Sequence, residues 1–170
     1  GTLSEEELLS NARQCGIGEM ALTDINSTAG SLNFVRLSEK FDVRPILGID
    51  FRNGADQKFI GIAKNNQGFQ ELNEYLSYHL HNKENFPTRA PEFKHVFIIY
   101  PFQFSFNLQL RKDEFLGVRP RDIIKLSMTQ WKDHLDKLVI LQTVSFTGGK
   151  DQKIHFNMHR LLRSIVINML

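Results

Sequence analysis

The chain has 170 residues, of which 41% are hydrophobic, and it carries 21 basic and 19 acidic side chains. A chain of this size and balanced charge forms one ordinary domain with a buried core, which excludes a disordered protein. No stretch reaches the ~18 apolar residues of a membrane-spanning helix. The single cysteine excludes a disulfide scaffold and suits a reducing compartment.

The first half of the chain alternates helices with short apolar strands. Ser4 and Glu7 have the spacing of a capping box, which predicts a helix that begins there and ends at Gly16. Hydrophobic periodicity then predicts strands over 19–23, 43–48 and 57–63 and helices over 31–41 and 66–80. This alternation indicates an α/β fold, with βα units around a parallel sheet or barrel.

The second half continues with further strands and helices. Apolar runs and alternation predict strands over 96–100, 104–111 and 137–143 and helices over 122–126 and 151–170, with Pro120 beginning the helix over 122–126. The chain lacks an initial Met, and residues 164–170 are apolar without a helix-ending polar residue or glycine. We therefore expect a piece of a longer protein.

Charge is unevenly distributed between the two halves. Residues 1–80 hold 7 basic and 11 acidic side chains, whereas residues 81–170 hold 14 basic and 8 acidic ones. The second half therefore suits contact with an anion or an acidic partner, although charges scattered over a solvated surface are the favoured explanation. The net charge of +2 is too small to indicate nucleic-acid binding by itself.

Two acidic side chains follow predicted strands, at the ends where ligands gather in parallel α/β proteins. Asp24 follows the first predicted strand and Asp50 follows the second. Two carboxylates from neighbouring strand ends are suited to hold a metal ion, and acids that cap loops are the alternative interpretation.

The histidines give weaker indications of a metal site. His79 and His81 have the His-x-His form of a chelating pair, but on a helix these positions point apart, which favours an exposed helix end. His155 and His159 share one helical face, yet Phe156 stands where a zinc-protease motif requires Glu. We expect neither pair to bind a metal.

Five segments together resemble a known family in their order and spacing. They are residues 20–24 (MALTD), 45–51 (PILGIDF), 62–72 (IAKNNQGFQEL), 141–146 (LQTVSF) and 157–165 (NMHRLLRSI). They resemble the polymerase-and-histidinol-phosphatase (PHP) domain at the N-terminus of bacterial DNA polymerase III alpha subunits, and most of all a divergent Bacteroidetes-type branch. Residues 1–80 and 138–165 carry the resemblance, whereas residues 82–136 match weakly.

The resemblance implies a distorted, TIM-like βα barrel of seven strands. Residues 1–170 would form one partial PHP domain that lacks its first strand and its C-terminal end. An active domain of this family binds up to three zinc or manganese ions at its strand ends and hydrolyses phosphoesters with a metal-activated water. The family's first motif, His-x-His, would precede Gly1.

Most ligand positions of the family hold unsuitable residues in this sequence. Asp50 keeps the carboxylate of the Gly-x-Glu motif, and Asp24 remains as the second, vestigial acid. The family's Cys position falls near Phe102. The positions that have lost their metal ligands are Ile25, Lys58, Thr143 and Ser145. Isoleucine cannot coordinate a metal and a lysine ammonium repels one, so the resemblance implies a dead site, with a polar contact such as Lys58 to Asp50 in the place of the metal.

This reading implies a non-catalytic scaffold within a cytoplasmic DNA-directed DNA polymerase, without a catalytic residue in 1–170 and without membrane contact. Its expected partners are the polymerase palm and thumb, the proofreading exonuclease subunit and, through the parent chain, primer–template DNA. Mg²⁺ would serve nucleotidyl transfer in the parent, and zinc or manganese would bind here only if the PHP site were active. The alternatives are a free-standing metal-dependent phosphoesterase of the PHP superfamily and a generic α/β interaction module.

Overall fold

A computed structural model describes residues 4–103 and 109–141 as helices packed on a curled six-stranded sheet. The helices are α1 (Glu5–Gln14), α2 (Ser31–Phe41), α3 (Asn66–Asn82) and α4 (Ile123–Leu126). The strands are β1 (Glu19–Ile25), β2 (Arg44–Asn53), β3 (Asp56–Ala63), β4 (Val96–Pro101), β5 (Glu114–Val118) and β6 (Leu138–Ile140). Three 3₁₀ turns cover Pro120–Asp122, Gln130–Asp133 and Leu135–Lys137.

The six strands lie in the sheet in the order in which they occur in the chain. β1 and β2 are parallel, as are β4, β5 and β6, whereas β3 runs antiparallel to both of its neighbours. The α/β class and the partial barrel are confirmed, and the expectation of a parallel sheet is wrong at β3. Only two residues join β2 to β3, with Gly54 at φ +61°, and so short a loop makes a hairpin rather than a crossover.

Several element boundaries differ from the predicted ones. β1 includes Asp24, and β2 continues past Gly48 to Asn53, because hydrogen bonding to β1 and β3 holds these polar residues in extended backbone. β5 was not predicted, since its five residues follow a charged segment. Residues 104–108 of one predicted strand and the predicted helix over 151–170 lie outside the described residues, and 109–111 are not a strand.

The predicted helix starts are confirmed at two places. At α1, the Ser4 N–H donates to the Glu7 carboxylate at 2.8 Å, and the Glu7 N–H donates to Ser4 Oγ at 3.3 Å. The bond from the Ser4 backbone lowers the pKa of Glu7. Pro120 begins the turn that leads into α4. Within the part of the chain that the structure describes, no helix is long and apolar enough to cross a membrane.

The core lies between the helices and one face of the sheet. A smaller cluster joins α1 and α2 to β1 and consists of Leu9, Ala12, Leu22, Phe34, Leu37 and Val43. A larger cluster packs α3 and the loop after it against β2–β5 and consists of Ile49, Phe51, Phe59, Leu72, Leu76, Phe86, Ala90, Val96, Ile98, Tyr100, Phe102, Leu116, Val118 and Trp131. This face therefore supplies most of the hydrophobic stabilisation.

A buried carboxylate joins the larger cluster to two loops. Glu114 accepts hydrogen bonds from the Tyr100 hydroxyl at 2.9 Å, the Arg111 N–H at 2.7 Å and the Arg89 guanidinium at 3.2 Å. The Tyr100 hydroxyl also accepts a bond from the Ala90 N–H at 3.1 Å. Both oxygens of the carboxylate are thus bonded, which offsets the cost of burying its charge.

Two core tyrosines differ in the bonding of their hydroxyls, and this predicts opposite effects of removing them. The Tyr75 hydroxyl is buried and has no hydrogen-bond partner in the described part of the chain, whereas the Tyr100 hydroxyl bonds to Glu114. We expect Tyr75→Phe to leave the free energy of unfolding at neutral pH unchanged or raised, and Tyr100→Phe to lower it by about 1–3 kcal/mol, as measured by urea denaturation.

The dependence of stability on alkaline pH gives a second test of the buried Tyr75 hydroxyl. Burial raises the pKa of Tyr75 to about 12 from its ordinary value of about 10. The unfolded chain therefore loses this proton at a lower pH than the folded chain does. The free energy of unfolding keeps its full value below pH ~10 and declines between pH ~10 and pH ~12. Tyr75→Phe should reduce that decline, and an identical decline in the variant would contradict the assignment.

Candidate functional site

β2 places an acidic and a basic side chain on the face of the sheet opposite the helices. Side chains alternate along a strand, so Ile49 and Phe51 enter the core while Asp50 and Arg52 stand on the other face. Asp50 belongs to the interior of β2, paired with Ile25 of β1 and Ile60 of β3, and does not follow the strand as predicted. The residue is held from both sides by the sheet.

The Asp50 carboxylate is buried and bound at one oxygen by three donors. Its Oδ2 accepts bonds from Arg52 Nε at 3.0 Å, Arg52 Nη2 at 2.6 Å and Gln57 Nε2 at 2.9 Å. Its Oδ1 is buried and has no hydrogen-bond partner among residues 4–103 and 109–141. The side chain is only 7% exposed, against 25% for Arg52, and the hydrogen bond to Asp50 raises the pKa of Arg52. The pair is a partly buried ion pair.

An asparagine fixes the backbone of Arg52. Asn26, the residue after β1, has φ +47°, and its side chain both accepts from the Arg52 N–H at 2.9 Å and donates to the Arg52 carbonyl at 2.8 Å. Its own N–H donates to the Asp50 carbonyl at 3.1 Å. Asn26 therefore continues the pairing of β1 with β2 beyond the end of the strand and limits where the Arg52 side chain can point.

A β-bulge brings Gln57 and then Arg119 into the same group. Phe51 pairs with Phe59 but Arg52 pairs with Gln57, so one extra residue lies in β3 and Gln57 faces the side of Asp50. Arg119, in extended backbone just after β5, donates from Nη2 to Gln57 Oε1 at 3.0 Å. Asp50, Arg52, Gln57 and Arg119 form a connected polar group, called here the arginine cluster.

The structure does not bring the two predicted acids together. Asp24 pairs with Ile49 and Asp50 with Ile25, so the two carboxylates lie on opposite faces of the sheet. Asp24 lies beside Gly30 at the start of α2, where a Cβ built on that glycine would be 3.1 Å from its Oδ2. Asp50 stands among arginine and amide groups instead.

The residues predicted at lost ligand positions lie as follows. Ile25 is beside Asp50 and 54% exposed. Lys58 donates to Asp56 at 2.6 Å, so the expected contact with Asp50 is wrong, and Arg52 forms it because it shares a face of β2 with Asp50. Phe102 is buried in the core. Thr143 and Ser145 lie outside the described residues.

The histidines do not form a cluster in the described residues. His79 is buried and stacks on Phe86, with ring centroids 5.0 Å apart, while His81 is exposed. His155 and His159 lie outside the described residues. No group of three or more His, Cys, Asp and Glu side chains suited to a metal occurs within residues 4–103 and 109–141.

Three members of the arginine cluster, Arg52, Gln57 and Arg119, were not predicted from the sequence. The Asp-x-Arg spacing of Asp50 and Arg52 is a usable signal, because it puts both side chains on one face if the strand continues that far. Gln57 depends on the bulge, and Arg119 follows a strand that was not predicted, so the local sequence carries no signal for either.

The comparisons with known proteins agree with the α/β fold and its curled sheet. A family model described as the PHP domain matches residues 1–162. The chain belongs to the PHP domain family. This PHP domain is similar to an error-prone DNA polymerase of Xanthomonas axonopodis pv. citri, with 33% identity over 72 residues that cover 42% of the chain and 7% of the relative.

It is also similar to the DNA polymerase III subunit alpha of Borreliella burgdorferi, with 26% identity over 86 residues that cover 42% of the chain and 8% of the relative. The matched segments of this chain therefore span less than a tenth of the length of these two polymerases.

The partly buried ion pair predicts that loss of the Asp50 charge lowers the free energy of unfolding more than loss of the exposed Asp56 charge does. We expect Asp50→Asn to lower the free energy of unfolding by about 2 kcal/mol, because it leaves the Arg52 charge without its partner. Asp56→Asn is the matched control, since Asp56 pairs with Lys58 but is 58% exposed, and we expect a change within about 0.5 kcal/mol. Equal losses in urea denaturation would contradict the buried pair.

Proposed function

We propose that this chain is the PHP domain of a DNA polymerase III alpha-type replicative polymerase, with a degenerate metal site and a scaffolding role. The observation that carries the proposal is the ion pair of Asp50 with Arg52. Asp50 occupies the position that matches the family's Gly-x-Glu carboxylate, and its charge is already neutralised by a side chain of the same strand.

The described residues do not fit the metal centre that the family implies. Oδ2 of Asp50 is fully used by three donors, and Oδ1 is free but buried. Ile25 offers no ligand atom, Lys58 carries a positive charge, and the Arg52 guanidinium would repel a nearby divalent ion. One carboxylate cannot replace the several ligands that zinc or manganese requires.

The polymerase context comes from similarity to the two polymerases. In the parent chain, nucleotidyl transfer with Mg²⁺ would belong to a palm domain outside residues 1–170, and this domain would pack against palm and thumb in the cytoplasm. Primer–template DNA would be bound by the parent. A domain without chemistry of its own is retained through its contacts, which supports docking of the proofreading exonuclease subunit.

Metal content tests the degenerate site directly. After incubation of the chain with manganese and zinc and removal of free ions, elemental analysis should find no stoichiometric metal. Asp50→Ala should give the same result, since Asp50 would hold no ion. Two or three ions per chain that are lost in Asp50→Ala would contradict the proposal, and manganese-dependent phosphoester hydrolysis would then favour the alternative phosphoesterase.

Docking of the exonuclease subunit is tested by co-elution in size-exclusion chromatography. We expect the parent polymerase to co-elute with the proofreading exonuclease subunit, and the parent without residues 1–170 to lose this association. The Asp50→Asn parent should retain it, because docking does not need an active site. Undiminished binding after removal of residues 1–170 would contradict the scaffold role.

A further inference from the structure

We propose that the outward face of the segment around α4 is a docking surface for an acidic segment of a partner protein that also carries apolar side chains. This surface is called here the α4 face, and it consists of Arg121, Ile124, Lys125 and Met128. The inference rests on the proposed function, whose exonuclease subunit is the partner to be tested. It adds the position of the contact and the chemistry that the partner needs there.

Exposed apolar side chains are concentrated in this part of the chain. Nine large apolar side chains are exposed among the described residues, and four of them lie within residues 123–135. These four are Ile123, Ile124, Met128 and Leu135, and they are between 60% and 79% exposed. Single exposed apolar side chains are ordinary on a protein surface, whereas several in one short segment indicate an interaction site.

Helical backbone brings the members of the α4 face to one side. Arg121 lies in the 3₁₀ turn before α4, and Met128 lies in the turn after it, where its N–H donates to the Lys125 carbonyl at 3.2 Å. Steps of three, one and three residues return to the same side of a helix. Leu126 packs on the larger core cluster, so the side that carries Ile124 and Met128 faces solvent.

The rest of the segment holds this face in place. Ser127 Oγ donates to the Ile124 carbonyl at 2.7 Å, and Thr129 Oγ1 donates to the Leu126 carbonyl at 2.8 Å. These bonds satisfy two carbonyls that the end of a helix leaves free. Trp131 is buried in the larger core cluster and anchors the chain that follows. A partner therefore meets an ordered surface, which lowers the entropy cost of binding.

The charges beside the apolar side chains favour an acidic partner. Residues 119–137 hold five basic and three acidic residues, and the α4 face itself holds two basic residues and no acidic one. Arg121, Lys125 and Lys132 are exposed, and none of them forms an ion pair with another described residue. Carboxylates on the partner would pair with these charges, whereas a basic partner would be repelled.

The aliphatic side chains distinguish a protein partner from nucleic acid and from a membrane. A phosphate backbone gains nothing from Ile124 and Met128, and single-stranded nucleic acid stacks on aromatic side chains, which the α4 face lacks. A membrane-surface helix binds through a large buried apolar area, and α4 has only four residues. The observations therefore favour a protein segment, such as an amphipathic helix with carboxylates beside its apolar stripe.

Binding of the parent polymerase to the exonuclease subunit, measured by biolayer interferometry, tests the α4 face. We expect Ile124→Asp to raise the dissociation constant about tenfold or more, because it places a carboxylate in the apolar part of the contact. Leu32→Asp is the matched control, since Leu32 of α2 and Ile124 are both 79% exposed, and we expect unchanged binding. Equal weakening by the two variants would overturn the α4 face.

A charge reversal tests the acidic character of the partner. Lys125 and Lys40 are exposed basic residues in the last turns of α4 and α2. We expect Lys125→Glu to raise the dissociation constant about threefold and Lys40→Glu to leave it unchanged. Weakening by Lys125→Glu without weakening by Ile124→Asp would show a purely electrostatic contact, as nucleic acid makes, and would overturn apolar docking.

The remaining outcomes separate this inference from the proposed function. Melting curves check that each variant folds, and Met128→Asp, at a side chain 74% exposed, decides the case if Ile124→Asp lowers the melting temperature. Unchanged binding in a folded variant of Ile124 or Met128, with binding lost on removal of residues 1–170, would overturn the α4 face and leave the scaffold proposal intact. Undiminished binding after that removal would overturn both.

Discussion

The strict alternation of side chains along β2 is the constraint on which the rest of the structure depends. Ile49 and Phe51 are completely buried under the helices, and the residues between and beyond them, Asp50 and Arg52, must then face the other side. A shift of register by one residue would bury two charges in the core and expose two large apolar side chains. The free energy gained by burying Ile49 and Phe51 therefore also fixes the face of the sheet on which the ion pair lies.

Two buried carboxylates lie among the described residues, and their hydrogen bonds are satisfied in different ways. Glu114 uses both oxygens, bonded to Tyr100, Arg89 and the Arg111 backbone, and ties two loops to the sheet. Asp50 uses one oxygen for three donors and leaves the other without a partner. A carboxylate with both oxygens hydrogen-bonded has a structural role, since it connects loops to the sheet. A half-bonded one, next to arginines with free donors, is a polar site that the fold does not saturate.

Local signals were sufficient for the helices and insufficient for the site. The capping box of Ser4 and Glu7 and the apolar periodicity of α2 and α3 act within a few residues, so their positions could be read from the sequence. The end of β2 depends on pairing with β1 and β3, which no local pattern reports. Asp50 was therefore identified, but its partner was assigned to Lys58, because neither the strand extension nor the bulge was visible. Arg119 reaches Gln57 across 62 residues of sequence, a contact that only the folded sheet creates.

Under the proposed function, an arginine takes the place of a metal, and this changes what the stability of the domain depends on. A bound ion stabilises a fold only to the extent that its free concentration exceeds its dissociation constant, and its ligands must be deprotonated. The Arg52 guanidinium is covalently attached, stays charged at every physiological pH and has its backbone fixed by Asn26, so it pairs with Asp50 without a bound ion. The cost of the proposed exchange is the loss of catalysis by a metal-activated water. A domain that keeps its shape for its contacts, and not for chemistry, would gain from this exchange, which is the physical argument for the proposed scaffold with an arginine beside Asp50.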